Sequence, residues 1–171
     1  THFMPILFLT APIYALFPSA LTLLLITQIA WVGGAYFVGK IGEFQFDNRW
    51  LGVLFMGLVM LHRSVVLTSF SAGFRGAILA FPFVALAIYA FITKRLGYFL
   101  GAIVFASLCK ENISLLFILF SGWAAYDRRD SPWIIAPAVF GLGYFVFVNE
   151  FIMGAEGFFG HNFSYFSYLG D

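Results

Sequence analysis

Charge is what this sequence lacks most: 10% of its 171 residues are Asp, Glu, Lys or Arg, where soluble domains carry about 25%. Nine basic and eight acidic side chains are too few to cover the surface of a water-soluble fold of this size. With 62% hydrophobic residues and a mean hydropathy of +0.95, lipid has to be the solvent for much of that surface. A net charge of +1 argues against a nucleic-acid partner, since phosphate binding needs clustered Lys and Arg. The lone cysteine, Cys109, excludes an intrachain disulfide and a Cys-only metal site. No Walker-type Gly-rich loop, GxGxxG, metal-spaced His pair or CxxCH is present, so no nucleotide, haem or iron–sulfur cofactor is expected. The chain opens Thr1-His2-Phe3 with neither Met nor a charged n-region, which is unlike a signal peptide. It is expected to be a fragment, a processed chain or the ordered part of a longer protein.

What is abundant is aromatic: 24 Phe, 8 Tyr and 4 Trp, which fill helix contacts and anchor helix ends at headgroups. A helix needs about 20 apolar residues to cross the hydrocarbon core, so charges between apolar runs mark the boundaries. The expected fold is all-α, a single polytopic transmembrane bundle over 1–171 with about five to six membrane helices. Residues 1–18 read as an interfacial segment, because the apolar stretch 4–17 is short and carries Pro5 and Pro12, with Pro18 after it. The bundle occupies 19–153, with runs at 19–39, 50–70, 76–93 and 132–153. A pair of short helices, 96–109 and 113–126, lies between the last two. Residues 43–49 read as an interhelical loop, and 154–171 as an outer tail.

Cytoplasmic loops are enriched in Lys and Arg. Alternating spans place Lys40 with Arg49, Lys94 with Arg95 and Arg128 with Arg129 on one side, read as cytoplasmic. His2, His62, Arg63, Arg75, Lys110, Glu111, Glu150, Glu156 and His161 then fall on the outer side or just beneath it. Ionisable residues within a membrane cost a few kcal/mol and are functional-site candidates by default. Lys110-Glu111 is the strongest case, since apolar segments flank it directly. One reading gives it a cation for a phosphate and a carboxylate for general-base work or orientation of a sugar hydroxyl. The other makes it an ion pair that ends two short helices. Arg63 either binds phosphate through its planar fork or snorkels to headgroups, with His62 beside it. Arg75 begins a helix, where a headgroup contact competes with a substrate phosphate. The aromatic tail, with Glu156 and His161, either stacks on sugar rings or forms an interfacial belt.

Three stretches together resemble a bacterial and archaeal family of polytopic membrane proteins, long catalogued as a domain of unknown function and grouped with the GT-C glycosyltransferases. His2-Phe3-Met4-Pro5-Ile6-Leu7, followed by Ala11-Pro12-Ile13-Tyr14-Ala15-Leu16-Phe17-Pro18, is similar to the family's HFSPIL stretch and its continuation. Ser69-Phe70-Ser71-Ala72-Gly73 stands where the family usually has Phe-His-Pro-Glu, without the His and Glu. Leu108-Cys109-Lys110-Glu111-Asn112 resembles its Lys-Glu-Asp motif, with Asn112 in place of Asp, and Tyr168-Leu169-Gly170 is like the segment closing its conserved region.

The resemblance implies a GT-C-like bundle in a prokaryotic cytoplasmic membrane, transferring sugar from a polyprenyl-phosphate donor on the outer side. It implies Glu111 and His2 as catalytic candidates, Lys110, Arg75, His62, Arg63 and Asn112 as substrate-binding candidates, and a divalent cation as the one cofactor to look for. In the family an acidic outer loop precedes the HFSPIL stretch, and this chain is expected to start too late to contain it. Two other readings compete. Aromatic content and missing motif residues suit a non-catalytic subunit of a larger membrane complex, and paired short helices suit a small-molecule transporter.

Overall fold

The computed structural model describes residues 4–62 and 76–152, and among them every regular element is helical. Helix α1 spans Ile6–Leu16, α2 Ala20–Phe46, α3 Arg49–Leu61, α4 Ala80–Ile92, α5 Leu96–Cys109, α6 Ile113–Tyr126 and α7 Ser131–Phe147. A 3-10 turn, Gly76–Leu79, leads into α4, and a π-helical turn, Val148–Ile152, extends α7. The helices fall into two compact units, residues 4–110 and, among the described residues, 111–152.

In the first unit, α1 holds 11 residues with Pro5 at its N-cap and Pro12 inside. At 1.5 Å per residue it is about 16 Å long, too short to cross the membrane. Ser19 starts α2 by accepting the Leu21 N–H at 3.2 Å. The 27 residues of α2 make it one of two elements among the described residues that are long and apolar enough to span. Here the structure corrects the expected loop at 43–49: α2 runs on through Lys40, Glu43 and Gln45 to Phe46, and only Asp47-Asn48 turn. Polar side chains do not end a helix when they face the interface and pair one turn apart, as Lys40 Nζ does in donating to Glu43 Oε2 at 2.8 Å. Asn48 then caps α3 by accepting the Trp50 N–H at 2.9 Å.

The buried side of α2 is made of small residues, Thr27, Ala30, Gly34, Ala35, Gly39 and Gly42. Helices in lipid gain little from excluding water and associate instead through close backbone approach at such seams. Two aromatic contacts fix how α4 lies on α2. Trp31 meets Phe81 at 5.1 Å and, further along both helices, Phe37 meets Tyr89 at 6.3 Å. Both helices therefore run the same way, which brings Lys40 and Arg49 to the same end of this unit as Lys94 and Arg95. That is the arrangement expected from alternating spans. Helices α4 and α5 pack together around Phe91 and Phe99, both fully buried, with rings 5.4 Å apart.

The second unit is a hairpin of α6 and α7, with Pro132 in the first turn of α7. At the hairpin turn, Arg129 donates to Asp127 at 2.8 Å and lies 4.9 Å over the Trp133 ring. Pairs of this kind fix a turn more than they stabilise it. The helices touch backbone to backbone: a Cβ on Gly141 would sit 2.5 Å from the Ser114 carbonyl oxygen. Gly141→Ala is therefore expected to push α6 off α7 and cost about 1–3 kcal/mol. Thermal unfolding in detergent would report that loss, together with faster amide exchange in the first turn of α6.

Three turns are closed by non-glycine residues in the left-handed region, Asp47 (φ 47°), Lys94 (φ 57°) and Arg128 (φ 50°). Each lets the chain reverse within a few residues. After Lys94 the Arg95 N–H bonds back to the Ala90 carbonyl at 2.8 Å, and after Arg128 the Arg129 N–H bonds to Ala124 at 2.9 Å.

Candidate functional site

The Lys110-Glu111-Asn112 stretch joins α5 to α6. Helix α5 starts just after Lys94-Arg95, α6 ends just before Asp127-Arg128, and each has 14 residues. At 1.5 Å per residue each is about 21 Å long, shorter than the roughly 30 Å hydrocarbon core. Glu111 lies in the turn between them. Its residue exposure is 3%, and its Oε2 is sealed from solvent. Asn112, next to it, is exposed.

The backbone around Glu111 is fixed by the start of α6. Ser114 donates its hydroxyl to the Glu111 carbonyl at 2.7 Å, and its backbone N–H donates to the same oxygen at 3.2 Å. Ser114 is itself fully buried. Because Gly141 abuts the Ser114 carbonyl and the two helices are antiparallel, the hairpin register sets Tyr144 abreast of Glu111, with Asn149 beyond it. The Tyr144 phenol oxygen is buried. Asn149 is 3% exposed, lies in the π-helical turn and donates from Nδ2 to the Phe145 carbonyl at 2.8 Å. Single π turns inside α-helices recur at functional sites, because the wider turn leaves main-chain groups for other partners.

Along the hairpin register, a carboxylate, a hydroxyl and a phenol lie near one end of an otherwise apolar pair of helices, with the Asn149 amide one turn or more beyond. Such a set can accept a proton and orient polyol hydroxyls. Sequence reasoning singled out Glu111 but missed Ser114, Tyr144 and Asn149. Asn149 could have been found as a polar side chain inside the apolar run 132–153, next to Glu150, which is exposed.

The other expected site residues fall elsewhere. Lys110 ends α5 in the first unit in extended conformation, half-buried and with no ion pair or side-chain hydrogen bond among the described residues. The reading of Lys110-Glu111 as a decorative ion pair therefore loses its cation. His62 caps the C-terminus of α3 with φ −61° and ψ 131° and is exposed, and the rest of the run expected over 50–70 lies outside the described residues. Helix α3 packs on α2 and α5 on α4, so His62 and Lys110 end different helix pairs. His2, Arg63, Arg75, Glu156 and His161 lie outside the described residues. No three His, Cys, Asp or Glu side chains among the described residues converge as metal ligands.

A family model described as "Predicted membrane protein (DUF2079)" matches residues 1–171. No curated protein and no solved structure matches the chain.

Proposed function

The chain belongs to the DUF2079 family of predicted membrane proteins, and on that premise we propose that it is the membrane-embedded part of a GT-C-like glycosyltransferase, or a divergent relative of one. The donor is a sugar carried on a polyprenyl phosphate, used at the outer face. The observation that supports this reading is the buried carboxylate of Glu111, in the turn that opens α6. A carboxylate within a membrane protein's apolar interior is expensive unless it is paired, does chemistry or orients a ligand.

Glu111 accepts the proton of the acceptor hydroxyl as that oxygen attacks the anomeric carbon. The bond from that carbon to the phosphate oxygen breaks, and the polyprenyl phosphate leaves with the electron pair. Lys110, one residue earlier in the chain, supplies positive charge for the phosphate, with Arg75 in the same role. Asn112, His62 and Arg63 contact the donor, and His2 orients the sugar. Tyr144 and Asn149 join them as hydrogen-bonding groups for hydroxyls.

The test is transfer of labelled sugar from a polyprenyl-phosphate donor by the full-length protein in proteoliposomes. Lys110→Ala is expected to raise KM for the donor about tenfold or more, since a charge-assisted phosphate contact of about 1.5–3 kcal/mol is lost. Its kcat is expected to change less. Unchanged kinetics would remove Lys110 from the site, and no transfer by the wild-type protein from any polyprenyl-phosphate sugar would overturn the reading.

A further inference from the structure

Within the first unit a second polar feature lies at the end that carries Lys40, Arg49, Lys94 and Arg95, remote along α2 and α3 from His62. A groove of about 160 Å³ opens between α2 and α3, lined by Tyr36, Lys40, Glu43, Arg49 and Val53 among others. Its floor is backbone. A Cβ on Gly52 would lie 2.7 Å from the Gly39 carbonyl oxygen, so the helices touch there and the larger side chains stand aside as walls.

Charge within the groove is uneven. Lys40 is neutralised by Glu43 at 2.8 Å and lies 6.0 Å from the Tyr36 ring. Arg49 is exposed and has no ion pair or hydrogen bond among the described residues. A guanidinium does not shed its charge by deprotonation, so the groove keeps one cation in excess. The surroundings are apolar and open: Trp50 is 81% exposed, and Val53, Phe44 and Phe46 are each more than half exposed. An aromatic rim beside a basic turn is what an interfacial segment presents to lipid.

We propose that this groove binds the phosphate of an anionic phospholipid from the leaflet facing the basic turns. Arg49 takes the phosphate through its planar fork, the Lys40–Glu43 pair borders the headgroup, and the acyl chains run along Val53 and the exposed apolar face of α3. Charge complementarity selects an anion, and the apolar wall continuous with the cation selects one that carries a lipid tail. Anionic lipids concentrate in the cytoplasmic leaflet, the side to which the positive charges of these turns point.

The full-length protein in phosphatidylcholine nanodiscs containing a minority of phosphatidylglycerol tests this, with retained lipid counted by native mass spectrometry. Wild type is expected to retain phosphatidylglycerol in preference to phosphatidylcholine. Arg49→Gln is expected to lower that preference about tenfold, and Glu43→Gln, which releases Lys40, to raise it. Arg95→Gln, at the same end but outside the groove, is the control for general electrostatics and is expected to leave the preference unchanged. Equal losses in Arg49→Gln and Arg95→Gln, or none in either, would overturn the proposal. So would displacement of the lipid by millimolar inorganic phosphate, which would make this a free-phosphate site.

Discussion

Glu111→Gln is expected to lower sugar transfer by about 10²–10⁴-fold, the usual contribution of a positioned general base, without lowering the stability of the hairpin. The two outcomes separate because the side chain and the backbone of this residue do different work. Ser114 is bound through the Glu111 main-chain carbonyl, which the substitution leaves in place. The amide has nearly the shape of the carboxylate and only loses the capacity to take a proton. With the main-chain contact kept, unchanged unfolding temperatures are expected. Transfer rates and thermal unfolding on the same preparation would check both. Full activity in the variant would place the proton acceptor elsewhere, and a loss that follows unfolding would reduce Glu111 to a structural role.

Gly34→Ala is expected to be the most damaging of the small changes in the first unit, at about 3 kcal/mol, the upper end of overpacking penalties. An added Cβ would lie 2.0 Å from a Phe81 ring carbon, and 2.7 Å from the ring atom at its root. Swinging only the far edge of the ring away is therefore not enough. Phe81 is further held by its contact with Trp31. The cause is checked by a double-mutant cycle. Phe81→Ala destabilises on its own by opening a cavity, but adding Gly34→Ala to that background is expected to cost little more. Simple additivity of the two losses, measured by unfolding in detergent, would show that the contact is not what makes Gly34 necessary.

Much of this fold was legible because a membrane makes sequence and structure speak the same language: an apolar run becomes a helix, and a charge marks its end. The short pair at 96–109 and 113–126 and the start of α7 near Pro132 all follow from that rule. It failed around residues 43–49, where charge meant interface and helix together, and only the left-handed Asp47 and the Asn48 cap set the true turn. The end of α3 at Leu61, before the extended His62, falls where His62-Arg63 interrupts the apolar run. At the candidate site, Glu111 stood out in sequence because burying a carboxylate is costly. Ser114 and Tyr144 did not, since each is unremarkable in its own helix and gains its place only from the register that Gly141 imposes on the hairpin, whereas Asn149 was visible as a polar side chain in the apolar run 132–153. No periodicity in the sequence announces that register, because it depends on one close approach between backbones.

The turns closed by Lys94 and Arg128 have a consequence for how the protein is made. A side chain in the left-handed region costs about 1 kcal/mol or more relative to glycine, so a glycine in either place would give a more relaxed turn. During insertion, however, no turn yet exists, and the orientation of each emerging segment is decided by the positive charges that flank it. A glycine there would erase part of that address. The finished molecule thus carries a small permanent strain at two reversals, where a basic side chain stands in a backbone conformation that glycine would adopt more easily.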